Sequence, residues 1–172
     1  MGVPARGYYT NRAICTRQAA SALSKAQKEF KKHGYGLLVL DAYRPKQAVE
    51  HFKEWAHDLA DQKMKSKYYP HTPKENLLSA FIATRSAHSR GSTFDVTLIN
   101  IKTGEKVDLG PEYFGEESYT VSSKTTPQQQ EMRLWLKEVM ENNGFKNYWR
   151  EFWHYTLFDE PFKNRYFDFP VR

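Results

Sequence analysis

The chain has 172 residues and a net charge of +6, from 26 Lys and Arg against 20 Asp and Glu, a length that fits one domain able to bury most of its apolar surface. Apolar residues make up 40% and aromatic residues 15%, which excludes a disordered chain, and no apolar run approaches a membrane span. The single cysteine, Cys15, excludes an internal disulfide and a Cys-rich zinc ribbon, so any metal must be held by His and carboxylates.

The opening stretch MGVPARGYYT lacks the apolar segment of a secretory signal, which points to the cytoplasm, or to the periplasm if a leader has been removed. Ala19, Leu23, Ala26 and Phe30 recur at helical spacing and predict a helix over 16–33, closed by Gly34. YGLLVLDAY reads as a buried strand stopped at Arg44-Pro45, since proline holds its predecessor extended and suits a first helical position. A second helix is expected over about 45–65, burying Ala48, Phe52, Trp55 or Ala56, and Leu59. Residues 66–76 read as a loop. Lys63, Lys65, Lys67 and Lys74 form the densest basic region, and lysines interspersed in a linker read as solvated surface, not as a nucleic-acid site.

Two strands, FIATRS and FDVTLI, are expected on either side of SAHSRGSTFD, and NIKTGEKVDL closes a hairpin around Thr103-Gly104. Residues 109–126 are irregular. Thr126-Pro127-Gln128-Gln129 then supplies an N-cap, a proline at the first helical position and a capping-box glutamine. The helix it opens runs to about Asn143, burying Met132, Trp135, Leu136, Val139 and Met140, and ends at Gly144. EFWHYTLF is the last strand, and the aromatic tail YFDFPVR packs onto the body. The order predicts an α+β fold, one domain over 1–172 with a central, mostly antiparallel sheet flanked by helices.

His88 and Asp95 lie on either side of a Ser-Arg-Gly-Ser turn. Ser86 and His88 would share one face of a strand, Gly91 eases the turn, and Asp95 can point back across it. By itself the segment fits two readings, an Asx turn with a surface histidine or half of a zinc site with N and O donors. Glu151 and His154 stand among Phe152, Trp153 and Tyr155, where an unpaired charge is costly to bury. A third ligand and a general base account for both. Strand positions three apart face opposite sides, so their convergence requires an irregularity, predicted at 150–153. With His88, Asp95 and His154 as ligands, one tetrahedral position stays open, as in a catalytic site. Arg44 fits a substrate carboxylate or a developing oxyanion, and equally a salt bridge to Asp41 or a nearby Glu. His51, His57 and His71 are expected at the surface, Trp55 and Trp135 in the core, and Trp153 in either role.

DAYRP, SAHSRGSTFDVTL and EFWHYTL, in this order, resemble the VanX-type D-alanyl-D-alanine dipeptidases. These are zinc peptidases of the wider group that includes D-Ala-D-Ala carboxypeptidases and lysostaphin-like endopeptidases. NRAICTRQAASALSKAQKEF is similar to the family's first helix and FWHYTLFDEPFKNRYFDFPVR to its C-terminus, so the resemblance runs along most of the chain. It implies one zinc ion held by His88, Asp95 and His154, Glu151 as catalytic base, Arg44 as transition-state stabiliser and Ser86 beside the substrate. The implied activity is hydrolysis of the small peptide D-Ala-D-Ala, with no nucleic-acid or membrane partner. A carboxypeptidase or other cell-wall peptidase of the same zinc group is the alternative. A zinc-stabilised binding module is a further one, which the retained Glu151 argues against. The chain departs from the family twice. Family members usually carry a further N-terminal segment before the region matching GYYTNRAIC. They also usually have an aspartate shortly after the glycine matching Gly110, where LGPEYFGEE offers only Glu112, Glu116 or Glu117.

Overall fold

The computed structural model describes residues 1–172, with every side chain except that of Ala80. Helix α1 (Arg17–Lys32) starts at Thr16, whose hydroxyl accepts from the Ala19 amide, and buries Ala19, Ala22, Ala26 and Phe30. Gly34, at φ 82°, turns the chain into strand β1 (Tyr35–Asp41); only a residue without Cβ enters this conformation freely. Pro45 caps helix α2 (Lys46–His57) from outside, one position earlier than expected.

Helix α2 also stops well short of residue 65, and the reason is tertiary. Lys74 is only 1% exposed, and its ammonium donates to the carbonyls of Asp58 and Asp61 at 2.5 Å each while sitting 4.2 Å over the Trp55 ring. It thus satisfies carbonyls that a continuing helix would have used. The lysine expected at the solvated surface is therefore interior, and Leu59, expected inside, is 53% exposed. The segment expected to be a loop contains two short turns, α3 (Lys65–Tyr68) and a 3-10 turn at Lys74–Asn76, followed by α4 (Leu77–Ala80).

FIATRS is not a strand. Both edges of strand β2 (Thr93–Asn100) are already occupied, by β1 on one side and by strand β4 (Glu151–Leu157) on the other, so FIATRS cannot pair with the strand that follows it. The chain instead enters a 3-10 turn, Ala87–Arg90, that carries His88 and closes at Gly91 with φ 80°. The hairpin after β2 turns at Gly104 (φ 74°), but its return arm makes only the bridge Ile99–Lys106. Residues 109–126 are irregular apart from a 3-10 turn at Glu116–Ser118.

Helix α5 (Pro127–Asn142) opens with the expected capping box between Thr126 and Gln129. Leu136, Val139 and Met140 are buried, whereas Met132 and Trp135 are only partly so. Trp135 packs edge-on against Phe30 at 5.0 Å and Tyr35 at 5.4 Å. Arg133 is fully buried too. Its guanidinium donates to the carbonyls of Leu109, Glu117 and Tyr119 at 2.6, 2.7 and 2.7 Å, and lies 4.0 Å from the Phe152 ring centre. One side chain therefore anchors the irregular segment to the sheet. After Gly144 comes a strand the sequence did not announce, β3 (Phe145–Tyr148), which forms a hairpin with β4.

The sheet has the order β1-β2-β4-β3, with every pair antiparallel. Strand alternation divides its two faces. Phe94, Val96 and Leu98 of β2, with Tyr155 and Leu157 of β4, enter the core that α1 and α5 cover. Thr93 and Asp95 lie on the opposite face, paired across the ladder with Thr156 and His154. The tail packs as expected, with a parallel bridge between Val171 and Tyr8 and Phe169 stacked 4.3 Å from Tyr43. Among the described residues no helix is long and apolar enough to cross a membrane.

Candidate metal centre

Asp95 and His154 are direct cross-strand partners, which brings their side chains together on the open face of the sheet. His88 arrives from the 3-10 turn. The three inward atoms form a near-equilateral triangle. His88 Nε2 is 3.3 Å from His154 Nδ1, His154 Nδ1 is 3.0 Å from Asp95 Oδ1, and His88 Nε2 is 3.4 Å from Asp95 Oδ1. Donors about 2.0–2.1 Å from a tetrahedral zinc ion lie roughly 3.3 Å apart, so the triangle has the dimensions of one face of such a site. The other ring nitrogen of His88 is 2.7 Å from the Ala42 carbonyl. That contact requires Nδ1 to carry the proton, which leaves the Nε2 lone pair free for a metal. The cluster His88, Asp95 and His154 can hold a metal ion.

Asp95 is held in its ionised form. Burial alone would raise the Asp95 carboxyl, but the imidazoles of His88 and His154 hold it well below the usual carboxylate range. Glu151 behaves in the opposite way. Burial pushes its carboxyl up to about 7; His154 and Arg44 oppose that rise and Asp95 adds to it.

Glu151 reaches the centre through the irregularity expected near 150–153. Asn147 pairs with Tyr155, but the next residue, Tyr148, pairs with Glu151. Three residues of β4 thus lie opposite a gap in β3, and the Asn147 side chain fills it. Its Nδ2 donates to the carbonyls of Glu151 and His154 at 3.2 and 3.1 Å. Glu151 Oε2 consequently lies 3.5 Å from His154 Nδ1, although the two are three apart on one strand. Asn147 carried no signal in the sequence that would have singled it out.

Arg44 makes the salt bridge to Asp41. Its Nε and Nη2 donate to Asp41 Oδ2 at 2.9 and 2.6 Å, while the residue lines the same cleft as Asp95, Glu151 and His154. Asp41 and the nearby Asp95 raise the Arg44 guanidinium further above its ordinary value, against the opposing effect of burial. The cleft encloses about 990 Å³. Ser86, nearly buried, lies on its wall although it does not belong to a strand. Of the three glutamates considered after Gly110, Glu112 lines the cleft and is paired with Lys106 at 2.8 Å. Glu117 turns instead to His71, 2.9 Å away, a partner that the surface assignment of His71 lacked. His51 accepts from the Arg6 amide at 3.2 Å. Trp153 is buried in the core and touches the cleft as well, and Trp55 packs on Tyr69 while forming part of the cleft wall.

The D-ala-D-ala dipeptidase model of the peptidase M15 family matches residues 2–172. The chain is 41% identical over 174 residues to a D-alanyl-D-alanine dipeptidase of Enterococcus faecium, spanning 99% of this chain and 86% of that one. It is 42% identical over 173 residues to a D-alanyl-D-alanine dipeptidase of Enterococcus faecalis, with coverage of 99% and 86%. A solved structure of VanYB in complex with D-alanine-D-alanine shares the fold, with a TM-score of 0.53 at 15% identity over 91% of this chain and 78% of that one.

Proposed function

Since this chain belongs to the D-Ala-D-Ala dipeptidase family of M15 peptidases, we propose that it hydrolyses D-alanyl-D-alanine to two D-alanines at one zinc ion held by His88, Asp95 and His154. The observation that carries this reading is the triangle of donors with a buried glutamate 3.5 Å from one of them. An ion held by these three residues would supply Lewis acidity toward the scissile carbonyl and lower the pKa of an attacking water. Glu151 takes the proton from that water and later delivers it to the leaving amine. A carboxyl raised to about 7 is suited to both transfers, because it can hold and release a proton near neutrality. Arg44 faces the tetrahedral oxyanion. Asp41 engages Nε and Nη2, which leaves Nη1 for the developing charge, and such a donor contributes about 2.7–4 kcal/mol to the transition state. Ser86 contacts the substrate from the cleft wall, and Glu112, which lines the same cleft beside Lys106, takes the ammonium of the dipeptide.

The test is release of D-alanine from free D-Ala-D-Ala, with activity lost to a chelator and regained on adding zinc. No release by the zinc-loaded protein would refute the activity. Faster turnover of an N-acylated peptide ending in D-Ala-D-Ala than of the free dipeptide would favour the carboxypeptidase alternative.

A further inference from the structure

We propose that Asp41 is a positioning residue that holds Arg44 off Asp95 and so preserves the ability of the metal centre to bind its ion. This rests on the reading of His88, Asp95 and His154 as ligands. The register of β1 against β2 shifts between Val39 and Asp41, which makes Leu40 the extra residue and puts Asp41 opposite Asp95. Two carboxylates facing each other across a ladder repel, and the Arg44 guanidinium lies between them. Its Nη2 is 2.6 Å from Asp41 Oδ2 and 3.8 Å from Asp95 Oδ2. Two charge-assisted bonds, from Nε and Nη2 to the single oxygen Asp41 Oδ2, decide which carboxylate it joins. The clamp is itself held. Asp41 Oδ1 accepts from the Tyr8 hydroxyl at 3.1 Å and from the Ala42 amide at 2.9 Å, so the carboxylate cannot rotate away with the arginine.

Without the charge of Asp41, Arg44 stays cationic, because an arginine does not deprotonate in a protein. Asp95 is then the carboxylate within reach, and a movement of about 1 Å brings Nη2 to hydrogen-bonding distance. An arginine seated on Asp95 competes with the metal for that carboxylate and turns it from the imidazoles. Asp41 thus acts on a ligand it does not touch, through a cation it restrains.

The experiment is a double-variant cycle read as zinc affinity, by competition with a chromophoric chelator, in the wild-type protein, Asp41→Asn, Arg44→Ala and the double variant. Asparagine keeps an oxygen for Tyr8 and Ala42 and places an amide NH2, which carries no charge and cannot accept from Arg44, where Oδ2 held it. Asp41→Asn is expected to weaken zinc about 10- to 100-fold, the range for residues that orient metal ligands. Arg44→Ala is expected to restore much of that loss, and to strengthen zinc binding more in the Asp41→Asn background than in the wild type. Equal gains in both backgrounds would mean two independent charges and would overturn the clamp, as would unchanged affinity in Asp41→Asn. Should Asp41→Asn fail to fold, the cycle is run with Tyr8→Phe, which removes one of the two donors to Asp41 Oδ1 and leaves the Ala42 amide. A smaller loss reversed by Arg44→Ala supports the clamp, and unaltered affinity overturns it. A wild-type protein that binds no zinc would refute the metal-centre assignment instead.

Discussion

Glu151→Gln removes one negative charge and almost no volume, and it should affect activity and stability in opposite directions. The unfolded chain ionises this carboxyl near 4.5, and the folded chain at about 7 because the group is buried. The folded state therefore favours the protonated form. Its disadvantage is absent below pH 4.5, grows between the two values and is complete above pH 7. A shift of that size amounts to about 3 kcal/mol, and at 10% exposure of the Glu151 side chain solvent screening removes little of it. The glutamine amide has no proton to lose. Metal-free Glu151→Gln should accordingly exceed the metal-free wild type by about 3 kcal/mol at pH 8 and match it near pH 4.5. Urea unfolding of the chelator-treated proteins at the two pH values measures this directly. In the same variant, zinc content should be retained and D-alanine release nearly abolished. A stability difference independent of pH would refute the argument from burial, and turnover at a large fraction of the wild-type rate would refute Glu151 as the base.

His88→Ala should purify without stoichiometric zinc, which elemental analysis reads, and full metal content would remove His88 from the ligand set. Arg44→Lys keeps the charge but loses the planar fork that meets Asp41 and an oxyanion together; kcat should fall roughly 100-fold or more, and a kcat within twofold of wild type would contradict that role. Asn147→Ala takes the donor from the carbonyls of Glu151 and His154, and should lower unfolding stability by about 1–3 kcal/mol while reducing kcat. An equally stable, equally active variant would show that the gap between β3 and β4 holds its shape without that side chain.

Where the sequence was legible, the deciding interactions were short in range. The capping box at Thr126 and Gln129 and the turn at Gly34 are satisfied within a few residues of chain, so the positions of α1 and α5 followed from local chemistry. The reading of α2 failed at its end because its stop comes from Lys74, outside the helix. FIATRS had the composition of a strand, but both edges of its neighbour β2 were taken by β1 and β4. The burial of Arg133 was equally hidden, since its three acceptors all lie in a segment that has no periodic pattern.

The same division runs through the metal centre. The residue types and their order along the chain determined which chemistry was available: two histidines, two carboxylates and an arginine, with a fold to present them and a family to compare. Tertiary structure alone decided that they converge. His88 and His154 are 66 residues apart and meet because β2 and β4 are neighbours in the sheet. Glu151 turns to the same side as His154 because Asn147 fills a gap in the ladder, and Asp41 faces Asp95 because β1 bulges at Leu40. Pairing register is a property of two strands at once, and neither strand carries it by itself.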